Sequence, residues 1–370
     1  MRSRVLALVS AATLALLVGR PCLGDDEGKE AILPELSATP NLNASTVPPI
    51  GDVNPYGVAF VPHGFPHGAP IHGGEILVSN FNNSSNLQGT GTTIVAVSRK
   101  GGVSVFFQGS TTPGALGLTT ALGVLRRGFV LVGSVPTLDG TSGTVQAPGQ
   151  LLVLDRNGNI VSTLSDAKLL DGPWDLTILD EGEHADVFVS NVLSGAITRI
   201  GFRISDDGGN IRVESETQIA SGYLTRTDPA ALLVGPTGLA YDRDKDILYV
   251  ASTGDNAIFA VPDAKRRTTD AGMGSLVYQD NAHLHGPLAL ALAPNGHLIT
   301  TNGDAVNPDA TQPSEIVEFT ISGQFVAQRP IDSSGMQGGA FGIAVKGGGD
   351  RVVFAAVDDI SNTLEVWFVE

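Results

Sequence analysis

The chain has 370 residues, enough for one large domain or two of ordinary size, and carries 38 acidic against 22 basic residues for a formal charge of −16. An acidic surface repels phosphate backbones and anionic lipid, so nucleic acid and membrane surfaces are set aside and cations, neutral molecules or another protein remain as partners. The only cysteine is Cys22, so no disulfide framework is available and stability must come from a large core.

The chain opens on Met1-Arg2-Ser3-Arg4, a basic start, followed by an apolar run over 5–18 broken only by Ser10 and Thr13. That run is short for a membrane span and reads as a secretory signal peptide, with Cys22-Leu23-Gly24 supplying small residues for cleavage. Residues 1–24 are therefore expected to be a leader, and the mature chain to begin near Asp25. Its location is expected to be outside the cytoplasm, periplasmic or extracellular, with no membrane attachment once the leader is gone. Arg20-Pro21 ahead of Cys22 matches poorly the small-residue pattern that lipid anchoring needs.

Beyond a 25–53 segment, one phrase recurs: a Gly-aliphatic-Ala step, then an aliphatic run ending in a small or amide residue. The first unit has Asn54-Pro55-Tyr56-Gly57-Val58-Ala59, a strand over 76–80 ending in Asn80, and a third over 93–97. The second has Leu122-Gly123-Val124, 129–134 ending in Ser134, and 151–154 running into Asp155-Arg156-Asn157-Gly158, a hairpin signal. The third has Pro173-Trp174-Asp175-Leu176, 187–191 ending in Asn191, and 196–200. The fourth has Pro236-Thr237-Gly238-Leu239-Ala240, 247–252 ending in Ser252, and 257–261. The fifth has Pro287-Leu288-Ala289, 298–302 ending in Asn302, and 316–319. The sixth has Phe341-Gly342-Ile343-Ala344, 352–356 and 364–368.

Six β-rich units without helical periodicity predict an all-β fold, a six-bladed β-propeller of four-stranded antiparallel blades over 54–370. Positions 57, 123, 175, 238, 289 and 342 are read as equivalent, with glycine at four of them because inner strands crowd at the axis, and Asp175 and Ala289 in its place in the third and fifth units. The sixth unit stops after its third strand, and an exposed sheet edge needs cover. The 25–53 segment is expected to supply the missing outer strand and close the ring.

The phrase resembles the NHL-repeat propellers, whose blades open Pro-x-Gly-aliphatic-Ala; Pro55-Tyr56-Gly57-Val58-Ala59 and Pro236-Thr237-Gly238-Leu239-Ala240 carry the likeness. It is more distantly similar to the SMP-30/gluconolactonase-like propellers. The resemblance implies that inner strands run away from the ligand face, so the turn after each second strand lies at one channel mouth. Asn80, Asn191 and Asn302 are then expected there, with Ser134 and Ser252, and Asp175, Asp255, Asp304 and Asp358 nearby.

Amide and carboxylate oxygens converging on one axis suit a divalent metal such as Ca²⁺, with Asp175, Asn191 and Asn302 as the donors. In the lactonase relatives such a set polarises a substrate carbonyl. The same Asn and Asp residues also suit plain satisfaction of turn backbone. His63, His67 and His72 fall in a Gly-Pro loop expected at the opposite mouth, whereas His285 enters the fifth blade on the ligand face as a candidate ligand or base. Tyr56 and Trp174 can wall the mouth or pack between blades.

Three readings follow. The first is an exported monomer that binds a small molecule or a protein at the mouth through Asn80, Asp175, Asn191, Ser252, His285 and Asn302. The second is a metal-dependent lactonase-type hydrolase, and the third is a non-catalytic interaction platform.

Overall fold

In the computed structural model, which describes residues 30–348 and 351–369, six four-stranded antiparallel sheets form a six-bladed propeller. The leader assigned to 1–24 lies outside the described residues. The first blade runs from its inner strand Val53–Phe60 through Ile76–Asn82 and Thr93–Val97 to the outer strand Val103–Gln108. Inner strands of the next five blades are Leu118–Leu125, Pro173–Asp180, Pro236–Asp242, Pro287–Leu292 and Ala340–Gly348. The core lies between successive sheets, as where Leu77 and Ile94 of the first blade pack with Leu122 and Val130 of the second.

Ring closure follows the sequence expectation. Leu42–Ser45 pairs antiparallel with Thr363–Val369, placing Leu42 opposite Val366 and Ser45 opposite Thr363, so the N-terminal strand is the outer strand of the sixth blade. The chain before it is a strap held by one carboxylate. Glu318, fully buried, accepts the backbone N–H of Ile32 at 2.8 Å and of Leu33 at 2.9 Å, and also contacts His297 Nδ1 and the Asn295 amide. Those two N–H groups open a short 3-10 turn, Leu33–Glu35, and have no partner within it.

Each inner strand begins with a bulge. In the first blade Pro55 pairs with Asn80 and the next paired residue is Val58, opposite Val78. The residue inside the bulge comes closest to the neighbouring inner strand, which is why glycine recurs there. A Cβ on Gly342 would sit 1.9 Å from the Tyr56 carbonyl oxygen, and one on Gly238 would sit 2.4 Å from Leu290 N.

The second blade departs from the expected alignment. Leu118 pairs with Ser134 as Pro55 pairs with Asn80, so Thr120, not Gly123, holds the place of Gly57. Leu122-Gly123-Val124 has the right residue types but sits beyond the bulge. Thr120 fits because its hydroxyl donates to the Trp174 carbonyl at 2.5 Å.

Similar bonds tie other neighbours where no ladder runs between inner strands. Ser79 donates to Thr119 O, Thr119 to Pro173 O, and Thr253 to Pro287 O. Each such buried bond contributes about 1 kcal/mol and fixes the spacing of the ring.

Candidate ligand site at the channel mouth

The inner strands enclose a central channel with a cavity of about 240 Å³ lined by residues of all six blades. A second cavity, of about 340 Å³, lies at the mouth where the inner strands begin. Its size is near the low end of small-molecule pockets, which run from about 300 to 1,000 Å³. Tyr56 lines both cavities.

The floor of the mouth is aromatic. Tyr56 stacks on Phe81 with ring centroids 4.9 Å apart, approaches Phe341 at 4.8 Å, and meets Trp174 edge-on at 6.0 Å. Val135, Val192, Leu232, Leu233 and Leu288 complete the apolar cluster. Tyr56 thus walls the mouth and packs between blades at once, while Trp174 is buried behind it. The indole N–H of Trp174 is buried without a hydrogen-bond partner. Burial, then the nearby Asp359 charge, holds the Tyr56 phenol above its ordinary range.

A roof crosses this floor. Between the third and fourth blades a two-stranded hairpin, Arg226–Asp228 with Leu232–Val234, carries Ala230 and Ala231 over the cavity. Gln88 of the first blade donates to Ala230 O at 2.6 Å, and Arg226 reaches Ala305 O of the fifth. The hairpin turns on the Asp228 carboxylate, which accepts the N–H groups of Ala230 and Ala231, an Asx turn. Asp228-Pro229 was the sequence signal for it.

The small polar residues expected to ring the mouth do occupy equivalent places in the six blades, but they do not line the mouth cavity. Asn80, Ser134, Asn191, Ser252, Asn302 and Asp358 are equivalent, each opposite the residue just before the bulge of its inner strand. Successive strand residues point to opposite faces. These six turn back into their own blades, and the next residues, Phe81, Val135, Val192, Thr253, Gly303 and Asp359, line the mouth or its apolar floor.

The three asparagines act alike. Asn80 donates to Thr46 O and Thr93 Oγ1, Asn191 to Leu169 O and Thr198 Oγ1, and Asn302 to His283 O and Glu315 Oε1. Each ties the segment entering a blade to that blade's third strand. Ser252 donates to Asp255 at 2.6 Å. His285 is buried beside Glu315, its Nε2 3.4 Å from the carboxylate and its Nδ1 2.5 Å from Asn307 O. Burial pushes Glu315 up to about 7.

Asp175 is the one candidate on the channel itself, in the place held by glycine in the first, fourth and sixth blades. Burial holds its carboxyl well above the usual range, opposed by hydrogen bonds from the Leu176 and Leu239 N–H groups. Asp175, Asn191 and Asn302 therefore do not converge: the asparagines face into separate blades while Asp175 bonds to backbone. Among the described residues no group of three or more His, Cys, Asp or Glu is arranged to hold a metal ion. The donor set does not fit the divalent metal expected for it. His63, His67 and His72 lie in the connection between Val53–Phe60 and Ile76–Asn82, at the opposite end from the mouth.

Residues that the sequence did not single out make the polar wall: Asn54, Asn82, Asn86 and Asp359, together with Asp304. Asn82 donates to Asn86 Oδ1 at 2.7 Å, yet its own Oδ1 is buried without a partner, as are Asn54 Oδ1 and Asp304 Oδ1. Burial and the adjacent Asp358 charge push Asp359 up to about 7, and burial raises Asp304.

No family model matches the chain, and no curated protein matches it. Solved structures do. A gluconolactonase from Xanthomonas campestris aligns with 86% of this chain and 87% of its own at 12% identity and a TM-score of 0.51. A Thermus thermophilus protein described as an oxidoreductase of the glucose dehydrogenase type aligns with 88% and 99% at 14% identity and a TM-score of 0.50. A calcium-binding regucalcin from Agrobacterium tumefaciens aligns with 90% and 97% at 14% identity and a TM-score of 0.49. The likeness is one of fold, and the NHL-type repeat is compatible with it.

Proposed function

We propose that the protein is an exported propeller that binds a small molecule in the roofed pocket at its channel mouth. The observation that carries this reading is the set of buried, unpartnered acceptors, Asn54 Oδ1, Asn82 Oδ1 and Asp304 Oδ1, around a cavity with an aromatic floor. A buried polar atom without a partner costs about 1–3 kcal/mol, and a ligand donor restores that loss. Apolar surface with a few convergent polar groups is the usual make-up of a small-ligand site. Export is supported by the basic and apolar start of the chain.

The test is ligand-observed binding with cationic, neutral and anionic small molecules, repeated on Ala231→Phe, which fills the pocket from the roof. The reading requires saturable binding that Ala231→Phe removes. Binding that survives the filled mouth, or none, overturns it.

A metal-dependent lactonase-type hydrolase is the second reading, and its support is the shape shared with a gluconolactonase. It needs donors other than the Asp175, Asn191 and Asn302 set. Lactone hydrolysis that a chelator abolishes would favour it over binding alone.

A further inference from the structure

The mouth pocket is unbalanced in charge and in hydrogen bonding, and both imbalances point the same way. Two carboxylates, Asp304 and Asp359, line it, and none of its lining residues is Lys, Arg or His. Arg226 of the roof is paired with Asp228. Asp304 Oδ2 accepts the Ser314 and Gly338 N–H groups, but its Oδ1 has no partner, and no ion pair reaches Asp359 among the described residues.

The unpartnered buried polar atoms of the residues lining the cavity are all acceptors. Asn82 is 2% exposed and Asn54 8% exposed, and both have an unpartnered Oδ1. A ligand that satisfies these oxygens must bring N–H or O–H donors, and the side chains must turn slightly to meet them. Opposite them, Tyr56, Phe81 and Phe341 present ring surface.

From this we infer that the pocket selects a primary ammonium carried on a compact apolar body, with the ammonium among Asn54, Asn82 and Asp304 and the body on the aromatic floor. The inference rests on the mouth being the ligand site and adds the chemistry of its ligand. A quaternary ammonium would leave the acceptors unpaired for want of N–H groups, and an anion would face two carboxylates without a counter-charge. A polyol supplies donors but does not neutralise the carboxylates. An ammonium does both: its N–H groups form charge-assisted bonds and its charge offsets theirs, while its apolar body takes the ring faces.

Three probes of nearly one shape separate these claims: phenethylammonium, 2-phenylethanol and phenylacetate, with sorbitol as a donor-rich neutral arm. They are titrated calorimetrically into the full chain at pH 8. Phenethylammonium is expected to bind at least about tenfold tighter than 2-phenylethanol, the weight of one charge-assisted bond, and phenylacetate not to bind. Asp359→Asn, whose side chain holds no structural hydrogen bond in the described fold, should lower the ammonium's affinity about tenfold and leave the alcohol's unchanged. Asp304→Asn should act likewise.

If the alcohol or sorbitol binds as tightly as the ammonium, or Asp359→Asn leaves the ammonium's affinity intact, the ammonium assignment falls while the mouth stands as a ligand site. If none of the four binds, the mouth reading falls with it.

Discussion

Replacing Glu318 with alanine is expected to release the N-terminal strap and weaken the whole ring. The carboxylate is fully buried, accepts Ile32 N and Leu33 N, and lies 2.7 Å from His297 Nδ1 and 2.9 Å from the Asn295 amide nitrogen. Alanine leaves these groups unpartnered, at about 1–3 kcal/mol for each one that stays buried. The strap can instead lift and rehydrate them, but it then exposes Ile32, Leu33 and Leu36. It also frees the chain that feeds the outer strand Leu42–Ser45.

Because either route has a cost, we expect a net loss of about 4 kcal/mol, in the range seen when one partner of a buried charged network is removed. With an unfolding entropy of about 2.1 cal/mol/K per residue, a loss of that size lowers the thermal midpoint by roughly 5–6 °C in a chain this long. Calorimetry measures the midpoint, and hydrogen exchange over 31–46 reports whether the strap lifts. Glu318→Gln, which keeps an acceptor, should lose less. A midpoint within about 1 °C of wild type, with exchange over 31–46 unchanged, would refute the clamp.

Other expectations follow from single contacts. Gly342→Ala places a Cβ against the Tyr56 carbonyl, so the first and sixth blades must part; a loss of about 3 kcal/mol is expected by denaturant titration, and one below about 1 kcal/mol would contradict the close approach. Glu315 is raised to about 7 in the fold, so its contribution favours folding fully below its ordinary range and is lost as pH rises through about 7. Glu315→Gln should therefore match wild type near pH 4 but exceed its stability at pH 8, by up to about 3 kcal/mol; an equal difference at both pH values would sink this. Thr120→Ala removes the hydroxyl bond to Trp174 O and should cost about 1 kcal/mol, measured by denaturant midpoint.

Much of the architecture was open to sequence reading because it repeats. Six aliphatic runs of strand length, with punctuating glycines, carry the blade count and the need for an N-terminal closing strand. The bulge was not visible. Leu122-Gly123-Val124 mimics the phrase, while the true equivalent, Thr120, keeps its place through a hydroxyl bond to another blade that no local pattern encodes.

The candidate site failed to read through for a related reason. A strand alternates faces at every residue, so one step separates Asn80, which ties its blade together, from Phe81, which floors the mouth. The hairpin roof and the unpaired oxygens of Asn54 and Asn82 depend on contacts between blades far apart in sequence. Tyr56 and Trp174 were legible because they adjoin the repeated phrase itself.

The central claim is that the mouth cavity receives a small molecule, and Trp174 is placed to report it. The chain has two tryptophans, and Trp367→Phe leaves Trp174 as the sole indole, packed against Tyr56 and Phe81 at the floor. Titrating this variant with phenethylammonium while following indole emission should give a saturable change that Ala231→Phe abolishes. Flat titrations with this ligand and with 2-phenylethanol and sorbitol, or a change that persists with the mouth filled, would contradict the account.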